Sequence, residues 1–357
     1  MGSSIMTANQ AVSHSMLREI FEEPEALRRF LENESPKVNE IANAIRSRRI
    51  SNVVIAARGT SDNAGQLAKY LFEYVNRKPV SLAAPSIYTL YGGALDLADS
   101  LVLGISQSGE GPDVNEVVRK AREAGALTVG VTNNADSQLA RTVEYSILCH
   151  AGVERSVAAT KTYVTELAAL YALSFAWASR DDLQNQLRSA IEDSGRVLET
   201  ASVIRPLVER YRYMTQCVVL GRGFNYSTVL ESSLKLKETC YIVSEPYSSA
   251  DFMHGPIALI EQGFPAFLIA PPGKTMPGMV ELTDKLLERG AEVVVISSSE
   301  ALLKKATTPV KMPVEVPEVL SPLLYIIPMQ LFSYYLAVTK GFNPDQPRGL
   351  KKVTMTT

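Results

Sequence analysis

Two glutamates, a lysine and a histidine fall close together in one stretch, Val218–Ile260, which reads VVLGRGFNYSTVLESSLKLKETCYIVSEPYSSADFMHGPIALI. Glu231, Lys235 and Glu238 are spaced four and three apart, so on a helix they share one stripe. His254-Gly255-Pro256 follows after Glu245-Pro246-Tyr247 and two serines. Carboxylate and imidazole are the side chains best suited to moving protons near neutral pH. The ordinary role for such a stripe is a solvated face laced with weak ion pairs, and a histidine before Gly-Pro is commonly a turn residue bonded to backbone. The chain has only three histidines, His14, His150 and His254, which narrows the choice if histidine takes part.

The elements that must carry these residues can be read from the same stretch. The apolar run Val218–Leu220 leads through Gly221-Arg222-Gly223 into a segment of helical spacing. There Tyr226, Leu230, Leu234 and Tyr241 form an apolar row, Val229, Leu236 and Cys240 lie beside it, and Asn225 stands at the N-cap position.

At 357 residues, two domains with separate cores are expected. Apolar content of 46%, charged content of 21% and a net charge of −2 fit a globular enzyme and offer no electrostatic reason for nucleic acid or an anionic membrane as partner. Cys149, Cys217 and Cys240 are scattered in apolar runs without metal-ligand spacing, so they read as reduced buried thiols of a cytoplasmic protein, and no metal is expected. The opening MGSSIMTANQAVSH lacks a signal-peptide core, and Met1–Ile5 reads as a disordered start or a cloning remnant. Leu323–Val338 is the most apolar stretch. Its 16 residues, interrupted by Pro328, Gln330 and Ser333, are too few for a bilayer and read as a core or subunit-interface helix.

Met16 to Arg49 has helical periodicity, and Pro24 and Pro36 are expected to divide it into short helices packed as an arm; a DNA-reading helix-turn-helix is disfavoured by its shortness and its glutamates. From Ser51 the pattern becomes strand, turn, helix: strands at Val53–Ala57, Leu101–Ile105, Leu127–Val131 and Tyr145–Cys149, with helices to Asn76, to Ala124 and from Val157 to Ala178. Such alternation predicts an α/β fold with parallel sheets flanked by helices, a three-layer αβα arrangement. Asp181–Tyr211 reads as a helical connector.

The second half then repeats the first. Arg58-Gly59 recurs as Arg222-Gly223 and Gly109 as Gly273, both 164 residues on, and Gly125 recurs as Gly290, 165 residues on. Each pair marks the same kind of junction, which argues for two copies of one unit. The copies differ at one loop. After Leu101–Ile105 comes Ser106-Gln107-Ser108-Gly109-Glu110; the equivalent loop is Ala270-Pro271-Pro272-Gly273. Ligands of open parallel sheets bind beyond the carboxyl ends of the strands, and a hydroxyl-rich glycine turn entering a helix suits phosphate. Ser106, Ser108, Thr60 and Ser61 are the candidate donors, and the Pro-Pro loop lacks both hydroxyls and two N–H groups, so one phosphate site, in the first copy, is expected. Neither first strand is followed by a dinucleotide or nucleoside-triphosphate loop.

From Arg18 to Val353 the chain resembles the tandem sugar isomerase (SIS) domain family, and in particular the isomerase half of glucosamine-6-phosphate synthase. The residues that carry the resemblance are Arg18-Glu19-Ile20-Phe21-Glu22-Glu23-Pro24, Gly59-Thr60-Ser61, Ser106-Gln107-Ser108-Gly109-Glu110, Val157-Ala158-Ala159-Thr160-Lys161, Leu234-Lys235-Leu236-Lys237-Glu238, His254-Gly255-Pro256 and Asp345-Gln346-Pro347-Arg348. The resemblance implies a helical arm at 1–50, SIS domains at 51–182 and 212–340, a connector at 183–211 and a tail at 341–357 that closes the site. Ser61, Ser106, Gln107 and Ser108, with Thr60 beside them, match phosphate ligands, although Gly111 stands where the family has a further threonine. Val157 and Ala158 match backbone lining the sugar, Glu238 the base that moves a proton between C1 and C2, with Lys235 beside it, and His254 a ring-opening group supplied by a neighbouring subunit. Lys352, or Lys351 one place earlier, matches a tail lysine that can condense with an open-chain ketose.

The resemblance further implies a cofactor-free enzyme, a homodimer with a shared site, acting on a phosphorylated aminosugar. The synthase carries a cysteine just after its initiator methionine for hydrolysing glutamine; here Gly2 stands there and the first cysteine is Cys149, so release of ammonia is the expected direction. Glucosamine 6-phosphate would give fructose 6-phosphate and ammonia. A fructosamine-6-phosphate deglycase, a plain aldose–ketose isomerase and a non-catalytic sugar-phosphate sensor are the alternatives, the last disfavoured by the intact Glu238 and His254.

Overall fold

The computed structural model describes residues 14–352 apart from residue 94. The opening residues read as a cloning remnant, and Val353 at the end of the resemblance, lie outside the described residues.

The chain begins with α1 (Ser15–Phe21) and α2 (Glu23–Arg46). The first sheet unit follows: β1 (Asn52–Ala56), α3 (Thr60–Val75), β2 (Val80–Leu82), α4 (Pro85–Thr89), β3 (Ser100–Ile105), α5 (Pro112–Glu123), β4 (Leu127–Thr132), α6 (Gln138–Thr142), β5 (Tyr145–Leu148) and α7 (Lys161–Trp177). The connector is α8 (Asp181–Val197) and α9 (Ala201–Leu207), joined by short 3-10 turns. The second unit comprises β6 (Gln216–Gly221), α10 (Tyr226–Cys240), β7 (Val243–Ser248), α11 (Ser249–Met253), β8 (Pro265–Ile269), α12 (Met276–Glu288), β9 (Glu292–Ser297), α13 (Glu300–Leu303), β10 (Thr308–Lys311) and α14 (Ser321–Thr339).

Both sheets are parallel and five-stranded, with orders β2-β1-β3-β4-β5 and β7-β6-β8-β9-β10, so the repeat read from the glycines is a repeat of topology. Gly59 and Gly223, Gly109 and Gly273, and Gly125 and Gly290 all have positive φ, which explains why glycine recurs at those junctions. Alternation along each strand sorts side chains to the two faces. Val53 and Ile55 join the main core with α2, α3 and α7, while Val54 and Val102 pack with Val118 and Leu139 on the other face. Cys217, Val219, Phe267 and Ile269 enter that main core from the second sheet, so α3, α7, α10 and α14 lie in one continuous apolar layer between the sheets. All three cysteines are free and buried.

Four expectations need correction. Pro24 stands in the first turn of α2, but Pro36 lies inside it without ending it: its missing N–H costs one helix hydrogen bond, and packing along α7 holds the helix together. Edge strands β2 and β7 were not read as strands, β2 because it is short and β7 (VSEPYS) because it is polar and holds Pro246, which an edge tolerates. Asn225 does stand at the N-cap of α10, but its side chain makes no cap bond; its amide donates to Ser321 Oγ at 2.7 Å. Finally, the apolar segment near the end forms a helical stretch, Glu318–Thr339, long and apolar enough to cross a membrane by length and composition, with 89% of its apolar window buried inside the chain. It is a core helix packed on α10, so its apolarity no longer argues for a subunit interface.

Candidate active site

Helices α3 and α5 start side by side at the carboxyl ends of β1 and β3. Neither has a side-chain cap: Gly59 and Gly111 occupy the N-cap positions. At α3 this leaves the N–H groups of Thr60 and Ser61 without a capping side chain, at a dipole end that favours an anion. Helix α5 offers less, because Pro112 has no N–H and Val114 N already donates to Asp113 Oδ1 at 2.8 Å. A cavity of about 370 Å³ opens at this point, lined by Thr60, Ser61, Ser106, Gln107 and Ser108 from the loops, Val157 and Ala159 from the approach to α7, Glu238 from α10, and Lys351 and Lys352 from the tail.

The turn after β3 is tightly built. Ser106 Oγ accepts from Gly109 N at 3.1 Å and Ser108 Oγ from Glu110 N at 3.3 Å, so both hydroxyl protons remain available to a ligand. A Cβ on Gly109 would stand 2.2 Å from Ser137 Oγ, so only glycine fits this turn. Thr60 and Ser61 differ: the Thr60 hydroxyl donates to Glu231 Oε1 at 3.1 Å, and Ser61 Oγ lies 2.8 Å from Glu166 Oε1. Gly111, in place of the family threonine, also lines the cavity.

The second copy has donors that the sequence reading missed. Lys274 N and Thr275 N, just past Gly273, donate to the Glu318 carboxylate at 2.7 and 3.1 Å, and Thr275 Oγ1 joins them at 2.5 Å. A carboxylate of the chain itself sits where the first copy presents an open anion-binding turn.

The Glu231/Lys235/Glu238 stripe is no solvated face. Glu231 and Lys235 have side-chain exposures of 0% and Glu238 only 20%, because α3 and α14 cover α10. The apolar row Tyr226, Leu230, Leu234 and Tyr241 is only half-buried. Lys235 Nζ lies 3.2 Å from Glu231 Oε1, 2.7 Å from Glu238 Oε2 and 3.3 Å from Thr60 Oγ1. Asn63 Nδ2 donates to Glu231 Oε2 at 2.7 Å, so the cluster ties α10 of the second copy to the N-terminus of α3 in the first. Burial opposes charge on Lys235, but the two carboxylates outweigh it and hold its amine above the usual lysine range. Burial likewise pushes the Glu231 carboxyl up, partly countered by Lys235.

The tail is anchored by its Asp-Gln-Pro-Arg motif. The Asp345 carboxylate accepts from Ser15 N and Met16 N at 2.7 and 2.8 Å, capping α1, and Asp345 O accepts from Val157 N at 3.2 Å. The Arg348 guanidinium lies 4.0 Å from the centroid of the Tyr241 ring at the end of α10. Held at these points, the chain delivers Lys352, whose amine reaches Glu154 Oε2 at 2.7 Å and Ser156 O at 2.8 Å. Burial of Glu154 works against ionisation, but Lys352 and the bonds from Thr162 and Thr160 hold its carboxyl below the ordinary range. The lead-in motif serves the same loop: Glu19 accepts from Arg155 N and from Ser156 N.

The cavity therefore brings together Thr60, Ser61, Ser106, Gln107, Ser108, Val157, Glu238 and Lys352. Lys235 lies beneath Glu238 rather than on the wall. Ala158 is buried behind the loop, with Ala159 in its place. His254 is exposed at the end of α11 and is not part of this cavity. Among the described residues, sequence reasoning missed Asn63, Glu154, Glu166 and the Arg58–Asp113 pair at 2.6 Å on the cavity wall. Only Arg58 had a signal, as the residue repeated at Arg222. No cluster of histidine, cysteine and carboxylate among the described residues could hold a metal.

The SIS domain family profile matches residues 46–176 and 214–340. Over 352 residues the chain is 36% identical to the glutamine–fructose-6-phosphate aminotransferase (isomerizing) of Methanothermobacter thermautotrophicus, covering 98% of this chain and 59% of that protein. The protein of the same name from Thermococcus kodakarensis is 34% identical over 357 residues, covering 97% of this chain and 59% of its own length. The chain thus spans about three-fifths of these curated relatives. Among solved structures, the C-terminal domain of glucosamine-fructose-6-phosphate aminotransferase from Francisella tularensis is 27% identical with a TM-score of 0.84, covering 96% of this chain and all of that one. The glucosamine-6-phosphate deaminase of Thermotoga maritima, 22% identical with a TM-score of 0.78 over 96% of this chain and 100% of that one, shares the fold. With two matched segments, one on each sheet unit, the chain belongs to the SIS domain family.

Proposed function

We propose that this chain is an aldose–ketose isomerase-type enzyme that takes an aminosugar phosphate, glucosamine 6-phosphate first among them, to fructose 6-phosphate and ammonia. The observation that carries the reading is the single cavity in which an open anion-binding turn faces a half-shielded carboxylate, Glu238. Phosphate bound at Ser106–Ser108 and the start of α3 would anchor the sugar remotely, so that binding energy positions C1 and C2. Glu238 then takes the C2 proton of the open-chain aldehyde and returns it to C1 through an enolamine, while one proton of the C2 amine passes to O1, which leaves a C1 hydroxyl and an imine at C2. Water adds to that imine, and ammonia leaves as the ketone forms. Release of ammonia needs only water as co-reactant, whereas the reverse direction needs ammonia, which is why release is preferred. Lys352 would have to leave Glu154 before its amine could condense with a ketose.

The test is a panel of hexosamine 6-phosphates and fructosamine 6-phosphates, assayed together for ammonia, free amine and ketose phosphate. Stoichiometric ammonia and ketose phosphate from glucosamine 6-phosphate is the expected result. Ketose phosphate with a released amine from the fructosamines alone would replace this reading with a deglycase, and no turnover of any member would leave a sensor.

His254 enters this reading through a second subunit. It is the remaining imidazole suited to opening a sugar ring, and within one chain it stands outside the cavity. Mixing His254→Ala chains with Glu238→Gln chains is expected to restore part of the activity that each lacks. No recovery, with subunit exchange verified by a size or mass label, would show that His254 does not complete a neighbour's site.

A further inference from the structure

Glu166 lies on α7 directly behind Ser61, and the chemistry proposed above does not use it. It is 1% exposed; one carboxyl oxygen faces Ser61 Oγ at 2.8 Å, and the other, Oε2, is buried with no partner. An ionised carboxylate in that position would leave two kinds of damage. Its unpartnered oxygen would carry charge into the core, and it would draw the Ser61 proton away from the cavity wall on which Ser61 stands. A phosphate needs donors, and Ser61 has one proton to give.

We propose that Glu166 is a positioning residue of the phosphate site: as a neutral acid it donates to Ser61 Oγ, and the Ser61 hydroxyl is thereby free to donate to the ligand. The 2.8 Å separation accommodates that direction as well as the opposite one. The surroundings favour the neutral form. Burial is the main cause, Glu154 and Glu231 face Glu166 with like charge, and the bond from Ser61 and the charge of Lys352 oppose them only in part, so its carboxyl is pushed up to about 8. The remaining titratable neighbours, Cys149 and Tyr163, are buried and held well above their ordinary values, so they stay uncharged across the same range. Because binding requires the protonated acid, affinity is full below about pH 8 and falls as pH rises through it.

This inference rests on the phosphate site assigned above, and the experiment separates the two. The probe is glucitol 6-phosphate, which has no carbonyl to react and, with a second phosphate pKa near about 6, stays a dianion from pH 7 to pH 9. Calorimetric titration of the full chain is expected to show affinity about tenfold weaker at pH 9 than at pH 7. Glu166→Gln, whose amide can donate to Ser61 permanently, is expected to bind with no break near pH 8. Glu166→Ala and Ser61→Ala are expected to bind weakly and equally at both pH values. A break that persists in Glu166→Gln, or a flat profile in the unmodified chain, would overturn the role of Glu166. Ser106→Ala with Ser108→Ala is expected to weaken binding about tenfold or more at every pH; unchanged binding in that variant would overturn the phosphate site and the inference with it.

Discussion

Lys235→Met is expected to destabilise the fold by about 3–5 kcal/mol at pH 8, the range found when one partner of a buried ion pair is removed. Lys235 is the one cation among the described residues paired with both Glu231 and Glu238. Without it Glu231 keeps only neutral partners, Thr60 and Asn63, against the cost of burying a charge. The sign of the pH dependence follows. The folded-state pKa of Glu231 is already raised by burial and rises further when Lys235 goes, so the variant's folded state holds a proton that its unfolded chain releases. Its stability therefore drops as pH rises, and the deficit is smaller at pH 5 than at pH 8. Urea denaturation at the two pH values measures this. A solvated lysine on a weak ion-pair face would cost within about 0.5 kcal/mol at either pH, and that outcome would contradict the burial of this cluster. Pairing Lys235→Met with Glu231→Leu should recover much of the loss, because an apolar replacement of a whole buried pair is often neutral.

Glu238→Gln is expected to lower turnover by about 10²–10⁴-fold or more, the contribution typical of a general base, while glucitol 6-phosphate still binds. The amide keeps the shape of the side chain and the contact with the cavity, but cannot accept a proton. His254→Ala should behave differently: it retains the slow turnover that spontaneously opened sugar permits. Parallel losses of binding and turnover in Glu238→Gln would mean that the substitution distorts the cavity, and that the carboxylate is not the proton carrier.

Much of this architecture could be read from the residues. Apolar runs of about five, spaced by helical segments, predicted the parallel sheets, and the recurrence of Arg58-Gly59, Gly109 and Gly125 marked the two copies, since only glycine accepts positive φ at those turns without strain. The cavity wall was legible as far as it was built from loops. The burial of the Glu231/Lys235/Glu238 stripe was not, because polar residues three and four apart look the same whether water or another helix covers them. What decides the matter is α3 arriving from the other copy, a long-range contact invisible to local pattern. The same holds for Glu166 and Glu154, single carboxylates in otherwise unremarkable segments. Asp345 and Glu19 were quoted as part of motifs, yet their work, capping α1 and holding the loop before Val157, is tertiary. In the second copy, the Pro-Pro loop was read as poor in donors; the N–H groups of Lys274 and Thr275 just past it were not considered, and Glu318 already takes them.

The central claim is that Glu238 carries the proton between C1 and C2 of a sugar held by its phosphate in the first copy's turn. Exchange of the C2 hydrogen of glucosamine 6-phosphate with deuterated solvent, followed by proton NMR, isolates that step from ring opening and from ammonia release. The account predicts exchange in the unmodified chain, slowed exchange in His254→Ala and none above background in Glu238→Gln. Exchange at the unmodified rate in Glu238→Gln would contradict it, and would turn attention to Lys235 or Lys352 as the base.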